Sequence, residues 1–503
     1  MAAFDEGQPS LDALSGDVET FLGETTEEYY QNGAGLKPEL QLSPIYERFA
    51  HLFDVATVER VRKALQQPND AERQRRWRYL LDFLVAGYLE GAVKEMVDAL
   101  VTRETQGVIR FDGEELPFRT VSVRLANEPD RARRDRLYEA RQAFVAELNP
   151  DREAIWERHR ELVRSLGYLT SLAMYQELKR IDFAALGRTM TRFLSRTEQA
   201  YRTHFEPALE ERAGVGFGVA RKHDVAWMLR ATAFDPMFPK ERLVPALEQT
   251  LAGLGIALGS QPNVHLDTEP RPQKSPRAFC APVRVPADVR LVILPQGGQD
   301  DYHALLHEAG HMEHFAHTRA DLPAEYRYLG DNSVTECFAF LFEYLTTNPE
   351  WLEKVLGASP AQIAAYTAFT RLDRLYFLRR YAAKLLYELE LHQSPSLGPM
   401  PGRYDSILTE ATGIQYGRVD YLADVDAGFY VAEYLRAWAL EVMLRERLVS
   451  RFGRAWFTRR EAGDFLRELW ASGQRDTGDE LARRLGYAAV DFEPITQELA
   501  GSP

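Results

Sequence analysis

Five consecutive residues of the 503-residue chain, His307, Glu308, Ala309, Gly310 and His311, form an H-E-x-x-H pattern within DDYHALLHEAGHMEHFAHT. At 3.6 residues per turn, positions i and i+4 of a helix share a face, so both imidazoles can reach one tetrahedral ion. Zinc suits two imidazoles so spaced, and Glu308 projects beside them toward the open coordination position, where it can take a proton from an attacking water. The chemistry predicted is metal-assisted hydrolysis. The competing reading is a helix rich in histidine, with His303, His314 and His317 besides, that carries the pattern by accident.

A catalytic zinc takes three protein ligands. Glu336, in NSVTECFAFLFEYL, follows the second histidine by 25 residues (336 − 311) and is the candidate for the third. Ser333-x-x-Glu336 also matches a capping box, in which the glutamate only satisfies a backbone amide. Residue types alone leave these two readings level.

HEAGH followed by VTECFAFLFE, with glutamates at 336 and 343, resembles the thimet oligopeptidase and oligoendopeptidase F family of metallopeptidases. RAFCAPV at 277–283, the Asp301–Leu306 approach to the motif, and RLYFLRRYAAKLLYELEL at 374–391 are similar to family segments, so the likeness spans roughly residues 270–440. It implies a mainly α, two-lobed, zincin-like body with a small β-sheet near the active site and a deep substrate channel. It further implies one Zn2+ per chain on His307, His311 and Glu336, and hydrolysis of short unstructured peptides. The shared Gly310 would let another backbone approach the metal helix closely.

Imidazole ligands usually give their second N–H to a carboxylate or carbonyl, so Glu343 and Asp301, with Asp331 as a further candidate, are expected to orient them. Glu343 lies two turns beyond Glu336 on the same helical face. Charge developing on the carbonyl oxygen needs a donor besides the metal. Here YLADVDAGFYVAEYLRAW, residues 421–438, is similar to the family's late helix and offers Tyr430 and Tyr434 on one face. Asp424 stands where the resemblance implies a histidine, and Asp426 where another tyrosine is common. Either Tyr421, Tyr430 or Tyr434 acts as donor, or substrate preference or activity differs; an aspartate could instead bind a substrate amino terminus. Two alternatives stand beside the oligoendopeptidase: a metal-dependent carboxypeptidase clamping the terminal carboxylate with Arg379, Arg380 or Arg436, and a non-catalytic peptide-binding homologue.

These residues need elements to position them. Segments such as WRYLLDFLVAGYLEGAVKEMVDALV repeat apolar residues at three- and four-residue intervals, which predicts an N-terminal helical lobe over 1–258 and a catalytic lobe over 259–503. GVIRFDGEELPFRTVSVRL places Asp-Gly between two β-prone runs and predicts a hairpin. The Pro-rich residues 259–278 read as a surface connection, FCAPVRV and DVRLVILP as strands, and 392–405 as a loop. Asp300 or Asp301 is expected to cap the motif helix.

Lys and Arg number 61 against 75 Asp and Glu, a net charge of −14 with both signs interspersed, which argues against a nucleic-acid surface or a polybasic membrane anchor. Only Cys280 and Cys337 are present, so no disulfide framework is expected and a reducing compartment is the simplest reading. The first residues lack the basic and apolar regions of a leader, and apolar runs stop short of membrane-spanning length. A cytoplasmic location is expected, with short peptides as partners.

Overall fold

A computed structural model describes residues 10–501, most of them helical. The chain folds as two compact units of three stretches each. One comprises Met1–Tyr88, Ala233–Thr367 and Arg436–Pro494; the other comprises Leu89–Thr232, Ala368–Leu435 and Ile495–Pro503. Each unit therefore gathers segments from both sides of the 258/259 boundary. Among the described residues no helix is long and apolar enough to cross a membrane.

The first unit holds the HExxH segment. Its first helix, α1 (Leu11–Gly33), opens at Ser10, whose side chain accepts from the Ala13 amide at 3.0 Å. It buries Leu11, Leu14, Val18 and Phe21, a stripe at three- and four-residue intervals. A three-stranded sheet follows: β1 (Val264–Asp267), β2 (Phe279–Arg284) and β3 (Asp288–Val292), in the order β1-β3-β2. β1 is parallel to β3, and β2 is antiparallel to it with Cys280 opposite Leu291. The edge position of β2 tolerates Pro282, which has no N–H for a ladder, and the register shifts just beyond it.

β1 corrects the reading of 259–278 as connection alone. Four residues among prolines and charges are too few for an alternation to be seen. The segment is also tied down, because the buried Lys274 ammonium donates to Asp267 Oδ1 at 2.9 Å and to the carbonyls of Asp267 and Glu269 at 2.8 and 2.9 Å.

After β3 the chain turns through Gly297 and Gly298, at φ +88° and +93°, a region open to glycine. This delivers α2 (Gln299–Ala316), which carries the motif. Gly298 occupies the N-cap, so neither Asp300 nor Asp301 caps the helix. α3 (Asn332–Leu345) is capped by Asp331, whose carboxylate accepts from Ser333 N at 3.0 Å, and buries Val334, Cys337, Phe338, Ala339, Leu341 and Phe342. The two helices meet at Gly310: a Cβ there would lie 2.5 Å from Phe338 O and 2.6 Å from Ala339 Cα.

In the second unit, Val108–Phe111 and Glu114–Pro117 form the expected hairpin, with Asp112 and Gly113 both at positive φ as a type I′ turn requires. FRTVSVRL does not extend it. Those residues begin the helix Phe118–Asn127, whose Val121 and Leu125, one turn apart, pack with Ile109, Phe111, Leu137 and Tyr138. The loop expected at 392–405 is shorter, since helices end at Gln393 and restart at Met400.

Candidate metal centre

His307 and His311 leave α2 on one face and meet Glu336, which leaves the first turns of α3 and is almost wholly buried. One donor atom from each of the three lies within 4.8 Å of the others. His307 Nε2 is 3.5 Å from Glu336 Oε2, and His311 Nε2 is 3.7 Å from Glu336 Oε1. Ligands about 2.0–2.2 Å from a tetrahedral ion are separated by about 3.4 Å, so these separations match the edges of such a site. Two imidazole nitrogens and a carboxylate are also a donor set that zinc accepts.

The other ring nitrogens are committed elsewhere. His307 Nδ1 donates to Glu343 Oε2 at 2.8 Å, and His311 Nδ1 lies 2.8 Å from Thr335 Oγ1. With Nδ1 engaged outward, each Nε2 faces Glu336, where the three donors could hold an ion. Phe340 packs edge-on against the His307 ring, with centroids 5.3 Å apart. Burial alone would lower the His307 pKa, but hydrogen bonds to Glu336 and Glu343 outweigh it and raise it to about 10. His311, with no comparable pair of acids, is pushed down to about 4 by burial.

Glu308 sits beside the pair. Its Oε2 accepts from the Cys280 amide of edge strand β2 at 2.8 Å, which brings the sheet against the site. Burial pushes the Glu308 carboxyl up to about 7, against the lowering effects of His307 and the Cys280 amide. Asp301, the other acid expected to orient an imidazole, instead accepts from the backbone amides of Gln296 and Gly297. Asp331 is likewise taken up, by Ser333 and by the amide of Gly478 at 2.8 Å. With Asp331 as N-cap, Ser333 and Glu336 are not in capping-box positions, which removes that alternative for Glu336.

The residues singled out from the sequence for the substrate side, Arg436 excepted, belong to the second unit. Tyr430 and Tyr434 share a helical face with ring centroids 4.7 Å apart, and Tyr434 stacks on Tyr381. Phe429, at φ +59° and fully buried against Phe183 and His392, turns the chain into their helix. Asp424 is held by Arg380 and by the Tyr404 hydroxyl at 2.8 Å, and Asp426 accepts from Lys384 Nζ at 2.7 Å. Tyr421 donates to Glu153 at 2.6 Å. Arg379 binds the Ala411 carbonyl, Thr197 and Glu198, while Arg436 in the first unit pairs with Asp479 at 3.2 Å.

Sequence reasoning missed Thr335, the Cys280 amide, and the cations that neutralise Asp424 and Asp426. For the last a signal existed: Arg380 and Lys384 stand one turn apart on a largely apolar helix.

No protein-family model matches the sequence, and a search of curated proteins returns no match. Solved structures do match. PZ peptidase A with an inhibitor aligns over 98% of this chain and 96% of its own at TM-score 0.65 and 14% identity. An M32 carboxypeptidase from Deinococcus radiodurans aligns over 98% and 99% at TM-score 0.63 and 15% identity. A candidate oligoendopeptidase F from Bacillus anthracis aligns over 97% and 83% at TM-score 0.59 and 15% identity. The likeness is one of fold: this chain has the mainly helical fold of these peptidases. The mainly α fold with a small β-sheet, expected from the oligoendopeptidase F resemblance, is therefore the fold it has.

Proposed function

We propose that the protein is a zinc-dependent peptidase of oligoendopeptidase type, acting on short unstructured peptides. The observation that carries the reading is the convergence of donor atoms of His307, His311 and Glu336 on one point, with a hydrogen-bonding partner on the Nδ1 of each imidazole and Glu308 beside them. Zinc held there would polarise the scissile carbonyl and acidify the attacking water.

Glu308 takes the proton from that water as its oxygen attacks the carbonyl carbon, and gives it to the departing amine as the C–N bond breaks. Its Oε2 accepts from the Cys280 amide, which helps to fix the carboxylate beside the two histidines. A carboxylate suits both directions of transfer, since it can accept a proton from the water and release it to the more basic amine. Tyr430 and Tyr434 are the proposed donors to the substrate carbonyl, on the resemblance of their segment. Asp424 and Asp426, each paired with a cation, are not proposed to bind a substrate amine.

Internal cleavage is favoured over removal of C-terminal residues by the arginines themselves. Arg379, Arg380 and Arg436, the candidates for a carboxylate clamp, are each engaged with an acid of this chain. The test is to digest a mixture of internally quenched short peptides with the zinc-loaded protein and identify products by mass spectrometry. Paired internal fragments support the proposal. Stepwise loss of single C-terminal residues replaces it with a carboxypeptidase, and no product removes it.

A further inference from the structure

We propose that Thr335 and His314 form a hydroxyl–imidazole relay that fixes the tautomer and orientation of the ligand His311. The inference rests on the metal reading above, which has Thr335 beside His311, and adds to it His314 and the direction of the Thr335 hydroxyl proton.

Thr335 Oγ1 lies 2.8 Å from His311 Nδ1 and 3.2 Å from His314 Nδ1. Both Thr335 and His314 are buried, His314 completely. A hydroxyl has one proton to give and can accept others. If His311 binds the ion through Nε2, its Nδ1 carries hydrogen and donates to Oγ1, and the Thr335 proton must then go to an acceptor. Helical threonines commonly give it to the carbonyl four residues back, as Thr197, Thr250, Thr318 and Thr412 do here. Thr335 makes no such bond among the described residues, and the nitrogen within its reach is His314 Nδ1. That nitrogen must therefore be unprotonated. His314 meets the requirement, because burial keeps it neutral, with its pKa lowered to about 3.

The two ligands are thus oriented by different chemistry. His307 leans on the carboxylate of Glu343, whereas His311 leans on a neutral hydroxyl whose own direction is set by a third histidine. Thr335 precedes the ligand Glu336 by one residue, so a single turn of α3 supplies both a ligand and the group that aims another.

The test measures zinc affinity by competition with a chelator, together with the melting temperature of the metal-free protein. Thr335→Val should weaken zinc binding about tenfold, the lower end for loss of a ligand's hydrogen-bonding partner. Thr335→Ser should restore it to within about twofold, with metal-free melting temperatures alike. Should Thr335→Val fail to fold, His314→Phe, which removes the acceptor, is compared with His314→Asn, which can return an oxygen near the Nδ1 position. The first should lose affinity and the second retain it. A Thr335→Val protein, or failing that a His314→Phe protein, that binds zinc as the wild type does overturns the relay and leaves the metal reading standing. A wild-type protein that binds no zinc overturns both.

Discussion

At the scale of the residue, the site is built from pairs in which a neighbour decides what a titratable group does. His307 is the clearest case: Glu343 accepts the hydrogen bond from its Nδ1–H, keeps Nε2 directed inward and lends the ring basicity. Glu343→Gln keeps an acceptor but removes the charge, and zinc affinity should fall about 10- to 100-fold, measured by chelator competition. Much of this was legible in the sequence. Two histidines four apart and glutamates at 336 and 343, seven apart, follow the helical repeat, which acts locally and shows in residue order. Thr335 was not legible, because a threonine beside a ligand looks like any other helical threonine. What distinguishes it is an approach by α2 that no local pattern encodes.

At the scale of the element, Gly310 sets how closely α2 and α3 approach. A methyl group there meets backbone rather than a mobile side chain, so relief requires the helices to move apart. Gly310→Ala should cost about 1–3 kcal/mol despite alanine's better helix propensity, seen as a lower melting temperature, and should weaken zinc binding as His311 and Glu336 separate. A variant as stable and as tight as the wild type would remove this account of the glycine.

The helix α4 (Gly478–Leu485) offers a pH test. Glu480 completes its capping box with Thr477 and receives both guanidinium nitrogens of Arg75 at 2.6 and 2.7 Å. The hydrogen bonds from Arg75, working against burial, hold the Glu480 carboxyl down to about 2. A depressed carboxyl contributes stability above its unfolded value, near 4.3, that is lost as pH falls through the folded one. The wild type should lose more melting temperature than Glu480→Gln between pH 5 and pH 2.5. Equal losses would show that the pair carries no pH-dependent stability. The elements misread in sequence share a cause: β1 is four residues long among prolines, and FRTVSVRL satisfies strand propensity while the hairpin core takes up Val121 and Leu125 at helical spacing.

At the scale of the whole molecule, two compact units are each stitched from three separated stretches, an arrangement that composition along the chain cannot reveal. The aspartates departing from the family resemblance arrive with their own cations, which the sequence signals only through the one-turn spacing of Arg380 and Lys384. With Asp424 and Asp426 each paired with a cation and Arg379, Arg380 and Arg436 engaged with acids, none of these five charges is set aside for an end of a peptide. Acetylating the amino terminus and amidating the carboxyl terminus of a cleaved peptide should therefore leave kcat/KM within about threefold, less than one good charge-assisted contact is worth. A loss of 100-fold on amidation would point to a carboxyl-terminal clamp instead.

The central claim is that Glu308 moves the proton in a metal-assisted hydrolysis of peptides. The most direct measurement compares wild type and Glu308→Gln, both shown to hold one zinc, on the same quenched peptide. The account predicts that the variant keeps its metal and loses about 10³-fold in kcat, as expected for removal of a general base. A zinc-loaded Glu308→Gln protein that cuts as fast as the wild type would contradict it.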